Sequence, residues 1–179
     1  MRVALVVGHK EASQGAVNIV SEMTEFRFND DLVNRIIIEG LASGSKHDLL
    51  KVLRDTYREL PEKINRIRPD FAISFHANAF NSRVSGTEVL FYHRSVMGPK
   101  MALILQKYMC ELLHLPDRKI KAVTVEGRGG YLLCHVKCPI VIVEPFFIDN
   151  DEDLTIATEK KGEMAKMFVS AIEEISQLI

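Results

Sequence analysis

Short apolar runs alternate along this chain with longer segments of mixed polarity. Three of these runs are almost entirely apolar: Val3–Val7, Phe71–Phe75 and Ile140–Val143. Runs of this length that do not alternate with polar residues are typical of strands buried on both faces of a sheet. They predict the central strands of a largely parallel, twisted sheet that is covered by helices on both faces, which is an α/β fold.

Helical periodicity separates the apolar runs. Leu32, Val33, Ile36 and Ile37 recur at helical spacing, which predicts a helix that begins after an N-cap at Thr24 and ends at Gly40 or near Gly44. Residues 10–24 lack a period and predict a loop. Further helices are predicted over 57–67, 100–113 and 151–177, and further strands over 48–53, 86–92 (edge-like), 120–125 and 131–134.

Composition narrows the class of protein. The 179 residues suit one domain, with 47% hydrophobic and 26% charged residues. A net charge of −1 gives no field that would attract nucleic acid. The three cysteines form no paired framework, and neither a signal peptide nor a membrane-spanning segment is apparent. We therefore expect synthesis in the cytoplasm and no membrane insertion.

Residues with metal chemistry follow each of the three apolar runs. Val7 leads through Gly8 to His9, Phe75 is followed by His76, and Val143 is followed by Glu144. The carboxyl ends of parallel strands meet at one edge of a sheet, where ligands bind. Two histidines and a carboxylate at this edge favour a metal site and hydrolysis by metal-activated water.

A catalytic zinc site needs a third protein ligand. Glu25, in the first turn of the predicted helix, is the preferred candidate, with Asn29 one turn later to hydrogen-bond its carboxylate. Glu22 is the main competitor. Glu144 follows a strongly apolar strand, so its pKa should be raised, as suits a general base. The alternative is a structural ion pair between Glu144 and Arg128.

These residues carry a resemblance to a known family. The matching segments are Val7-Gly8-His9, Glu25 with Asn29, Ser74–Ala79, Gly86–Val89 and Val143–Asn150. In this order they resemble the zinc-dependent N-acetylmuramoyl-L-alanine amidases (amidase type 3) of bacterial autolysins and phage endolysins. The resemblance implies His9, Glu25 and His76 as ligands of Zn²⁺ and Glu144 as the catalytic carboxylate. It also implies a mixed sheet of about six strands flanked by helices.

The resemblance implies hydrolysis of the amide between N-acetylmuramic acid and L-alanine in peptidoglycan, by a single catalytic domain over residues 1–179 without a separate wall-binding domain. Action on the cell wall then requires release through a permeabilised membrane, as for an endolysin, or the sequence is one domain of a protein whose wall-binding part it does not include. Two alternatives stay open at this stage. One is another zinc amidohydrolase or peptidase that acts on a small peptide, and the other is a non-enzymatic binding protein with a relict site. The oligomeric state is not predicted.

Overall fold

The apolar runs form the centre of a six-stranded sheet in a computed structural model that describes residues 1–179. The strands are β1 (Arg2–Val7), β2 (Asp48–Val52), β3 (Phe71–Phe75), β4 (Thr87–Tyr92), β5 (Asp117–Val123) and β6 (Ile140–Glu144). The helices are α1 (Glu25–Ala42), α2 (Leu60–Ile67), α3 (Gly98–Leu113), α4 (Gly130–His135), α5 (Asp151–Glu159) and α6 (Lys161–Ser176).

Strand direction decides which loops meet. The order across the sheet is β2-β1-β3-β6-β4-β5. The first four strands in this order are parallel to one another, β4 is antiparallel to β6, and β5 is parallel to β4. The predicted mixed, mostly parallel sheet is therefore confirmed. Four neighbouring strands end at the same edge of the sheet.

Both faces of the central strands are buried, which explains why their sequences do not alternate with polar residues. In β1, Val3, Leu5 and Val7 pack into the larger core beneath α1, α3, α5 and α6. Ala4 and Val6 point the other way, into a smaller core beneath α2 and α4. Each face thus receives every second residue, as strand geometry requires. None of the helices has the length and apolarity needed to cross a membrane.

Two predictions about the strands are wrong. Residues 131–134 lie in helix α4, where Leu132 and Leu133 are buried in the smaller core. A short apolar run cannot distinguish a buried helix from a strand by its period alone. The segment predicted as edge-like is β4, which lies between β6 and β5 with only its last residue partly exposed. The edge strand on this side of the sheet is β5, which has no buried residue.

The helices differ from prediction in one place. Thr24 caps α1 as expected, its hydroxyl oxygen accepting a hydrogen bond of 3.3 Å from the backbone N–H of Arg27. The predicted closing helix over 151–177 is instead two helices, because the backbone leaves helical geometry at Lys160. After this break, Lys161 is buried against α1, with its Nζ 3.0 Å from a carboxylate oxygen of Asp31. This ion pair connects the start of α6 to α1.

Candidate active site

The carboxyl ends of β1, β3 and β6 bring His9, His76 and Glu144 to one cavity, as the sequence predicts. Gly8 allows the end of β1 to lie close to the end of β3. A Cβ at this position would lie 2.7 Å from Cε1 of His76 and 2.5 Å from the carbonyl oxygen of Phe75. Only glycine fits without moving the imidazole of His76 or the backbone of β3.

Glu25 lies between the two histidines. One carboxylate oxygen is 3.0 Å from Nε2 of His9, and the other is 2.8 Å from Nδ1 of His76. The two imidazole rings meet edge to face, with centroids 5.4 Å apart. One donor atom from each of the three residues falls within 4.8 Å of the others, so the group could hold a metal ion.

The local backbone fixes the Glu25 carboxylate. Glu25 begins α1, and its two oxygens accept hydrogen bonds from the backbone N–H groups of Ala77 (3.2 Å) and Ala16 (3.4 Å). The predicted support from Asn29 is wrong, because the buried Asn29 amide has no hydrogen-bond partner. The competitor Glu22 is exposed in the loop before α1 and is not part of this group.

Gly15 is a further requirement of the site that the sequence analysis missed. Its φ of +77° lies in the left-handed region, which favours glycine. A Cβ there would lie 2.6 Å from a carboxylate oxygen of Glu25 and 2.7 Å from Cδ2 of His9. The loop that was predicted over 10–24 therefore packs its backbone directly against two members of the group.

The charges of the group favour an ionised carboxylate. Burial alone would raise the pKa of Glu25, but hydrogen bonds and charge interactions with His76 and His9 outweigh it and lower the pKa to about 2. Burial alone would likewise lower the pKa of His76, and the Glu25 carboxylate reverses this and raises it. An anionic carboxylate between two imidazoles is the kind of donor set that binds a divalent metal.

Glu144 has the opposite environment. It is 5% exposed at the end of β6, and its Oε2 atom is buried without a hydrogen-bond partner. Burial raises its pKa from 4.5 to about 7, even though the charges of His76 and Arg128 act in the other direction. A carboxyl group with a pKa near 7 can both accept and donate a proton at neutral pH.

Arg128 does not form the ion pair with Glu144 that was the alternative interpretation. Its guanidinium donates to a carboxylate oxygen of Glu88 and, over 2.9 Å, to the side-chain oxygen of Asn78. Arg118 donates to the other oxygen of Glu88 over 3.2 Å. Glu88 lies opposite Glu144 in the antiparallel pairing of β4 with β6. The two arginines thus balance the negative charge of Glu88. The Glu144 carboxyl group has no direct cationic partner.

These groups line a cavity of about 400 Å³. Leu90, Leu132 and Ile142 form part of its apolar wall. Two further residues at its edge, Arg54 and Tyr57, were missed by the sequence analysis. Both lie between β2 and α2, where no apolar period marks them. A cavity of this volume is large enough for a small ligand.

Sequence comparison places the chain in a family. The family described as N-acetylmuramoyl-L-alanine amidase matches residues 3–174. The chain belongs to this amidase family. A comparison with curated protein sequences gave no significant match.

Solved structures of amidases share the fold. The catalytic domain of the CD27L endolysin targeting Clostridia difficile is 26% identical with a TM-score of 0.80, and the match covers 97% of each chain. Cwp6 from Clostridium difficile is 25% identical with a TM-score of 0.82, and this chain spans only 29% of its length. The catalytic domain of CwlV from Bacillus (Paenibacillus) polymyxa var. colistinus shares the fold at 21% identity, a TM-score of 0.81 and full coverage of both chains.

Family membership supports the amidase function that the sequence resemblance implied. This amidase is a hydrolase of carbon–nitrogen bonds other than peptide bonds, and it hydrolyses the muramoyl–alanine amide of peptidoglycan. The chain is therefore a cell-wall-acting amidase domain.

Proposed function

We propose that this amidase uses one zinc ion held by His9, Glu25 and His76, with Glu144 as the general base. Two imidazoles and one carboxylate are a common ligand set of catalytic zinc. The fit rests on the Glu25 carboxylate, which contacts both imidazoles at 3.0 Å and 2.8 Å and takes two backbone hydrogen bonds. When bound, zinc supplies the Lewis acidity that polarises a carbonyl and acidifies water.

Glu144 carries the proton transfers in this proposal. Its buried Oε2 has no partner, and its pKa of about 7 keeps a substantial fraction ionised at neutral pH. The carboxylate would take a proton from the attacking water and deliver it to the leaving amine nitrogen of L-alanine. The network around Glu88 supports this role, because it keeps Arg128 from neutralising the base by direct contact.

The observation that carries the proposal is the meeting of His9, Glu25 and His76 within 4.8 Å in the cavity that Glu144 also lines. The test is release of new L-alanine amino termini from purified peptidoglycan, with and without a zinc chelator. We expect the chelator to abolish release and added zinc to restore it. Release that continues at full rate in the chelator, with no metal in the protein, would contradict the metal assignment.

A matched pair of variants separates the two roles. Glu144→Gln should keep one equivalent of zinc and lose turnover by about 10²- to 10⁴-fold, the range for general acid–base catalysis. His76→Ala should lose the metal as well as the activity. Full activity of Glu144→Gln, or stoichiometric zinc in His76→Ala, would remove that residue from its proposed role.

A further inference from the structure

Arg54 follows the carboxyl end of β2, at the same edge of the sheet as the site. The parallel strands β2, β1, β3 and β6 lie side by side, and their carboxyl ends lead to Arg54, His9, His76 and Glu144 in this order. The last three of these residues have a role in the proposed mechanism. Arg54 lines the same cavity and has none.

The positive charge of Arg54 is not neutralised within the chain. Its Nε is buried without a hydrogen-bond partner, and no carboxylate forms an ion pair with its guanidinium. The adjacent acid, Asp55, is engaged elsewhere, with its carboxylate 2.7 Å from Nζ of Lys63. The other arginine of the cavity, Arg128, is held by Glu88 and Asn78. Arg54 is thus the cavity cation that remains free to bind an anion.

The surroundings hold the Arg54 segment in place. The Arg54 guanidinium carbon lies 5.8 Å from the ring centroid of Tyr57. The backbone at Asp55 is fixed by a 2.9 Å hydrogen bond from Nζ of Lys10 to its carbonyl oxygen. Lys10 directly follows His9, so this bond ties the loop after β2 to the loop after β1. A planar guanidinium favours a carboxylate, which it can bind through two parallel hydrogen bonds.

We propose that Arg54 binds the α-carboxylate of the second residue of the stem peptide, and so selects stems with D-glutamate at this position over stems with D-isoglutamine. This inference rests on the proposed function, which places the muramoyl–alanine amide between the metal ligands and Glu144. An extended residue advances the chain by about 3.3–3.6 Å, so the residue after L-alanine lies within one or two such steps of the scissile bond. Its α-carboxylate is therefore the first anion on the amine side of that bond.

The test uses two soluble muropeptides that differ only at this carboxyl group, one with D-glutamate and one with D-isoglutamine after L-alanine. For the zinc-loaded wild-type enzyme we expect kcat/KM to favour the acid by about 10- to 100-fold, the range for a hydrogen-bonded charge pair. Most of the difference should lie in KM, because the carboxylate binds equally in the ground and transition states.

Variants at Arg54 identify the source of the preference. Arg54→Gln should bring the ratio of kcat/KM values close to one, mainly by raising KM for the muropeptide with D-glutamate. Arg54→Lys should restore part of the preference, since it keeps the charge but not the two-pronged geometry. Arg58→Gln is the matched control, because Arg58 is exposed and outside the cavity, and it should keep the wild-type ratio.

Two outcomes would overturn the proposal. One is equal cleavage of both muropeptides by the wild-type enzyme. The other is an Arg54→Gln variant that keeps zinc and slows both substrates equally, which would indicate a role in stabilising the transition state or the loop. Failure of the proposed function is distinguishable from either, because then neither muropeptide would be cleaved in a manner that depends on zinc and Glu144.

Discussion

Burial of the Glu144 carboxyl group should make the free energy of unfolding depend on pH in a defined direction. Desolvation is the main cause that raises its pKa from 4.5 to about 7 on folding. Below pH 4.5 the group is protonated in both the folded and the unfolded chain. Its burial as an ion then makes no contribution to the free energy of unfolding. Between pH 4.5 and 7 the unfolded chain ionises first, so the folded state loses stability as the pH rises.

The size of this effect follows from the two pKa values. Each pKa unit corresponds to about 1.4 kcal/mol, so a rise from 4.5 to about 7 gives a penalty of about 3 kcal/mol above pH 7. Glu144→Gln removes this penalty because the amide cannot ionise. The variant also buries an amide at the position of the unpartnered Oε2, but this cost does not change with pH. The pH dependence of the difference therefore isolates the ionisation.

The assay is urea unfolding of wild type and Glu144→Gln at pH 4.5 and pH 8.5. It is done in chelator, because a bound cation would change the charge balance. We expect the stability of the variant relative to wild type to rise by about 3 kcal/mol from the lower to the higher pH. Glu11→Gln is the control for loss of one carboxyl group, since Glu11 is exposed on the loop after β1. A difference that is the same at both pH values would refute the reasoning.

Three further predictions test the site. Activity should fall as the pH drops through the range in which Glu144 takes up a proton, because the base must be ionised, and a kcat/KM profile that does not fall towards acid pH would contradict the role of Glu144. His76→Ala should lose metal in elemental analysis, whereas retention of one equivalent would exclude it as a ligand. Gly15→Ala and Gly44→Ala both place a Cβ at positive φ and should each cost about 1–2 kcal/mol in denaturant unfolding. Only Gly15→Ala should also weaken zinc binding, because its Cβ would collide with the carboxylate of Glu25. A Cβ at Gly44 would have no neighbouring atom within 4 Å.

The central sheet could be predicted because burial on both faces leaves a direct mark on the sequence. The runs Val3–Val7, Phe71–Phe75 and Ile140–Val143 are apolar at nearly every position, and all of their residues are buried. Residues 131–134 were misassigned because Leu132 and Leu133 are buried side by side in a helix of only six residues. Over so short a segment, the helical period has no room to appear.

The meeting of His9, His76 and Glu144 could be predicted by one rule, that parallel strands end at a common edge, whereas Glu25 comes from the first turn of α1. The same rule, applied to β2, leads to Arg54, but the partly exposed sequence of β2 gave no sign that it lies beside β1. The network of Glu88 could not be found in this way. Because β4 runs antiparallel to β6, Glu88 reaches the edge from the beginning of its strand rather than from the end. Its partner Arg128 comes from the turn before α4, so the pairing depends on tertiary packing alone.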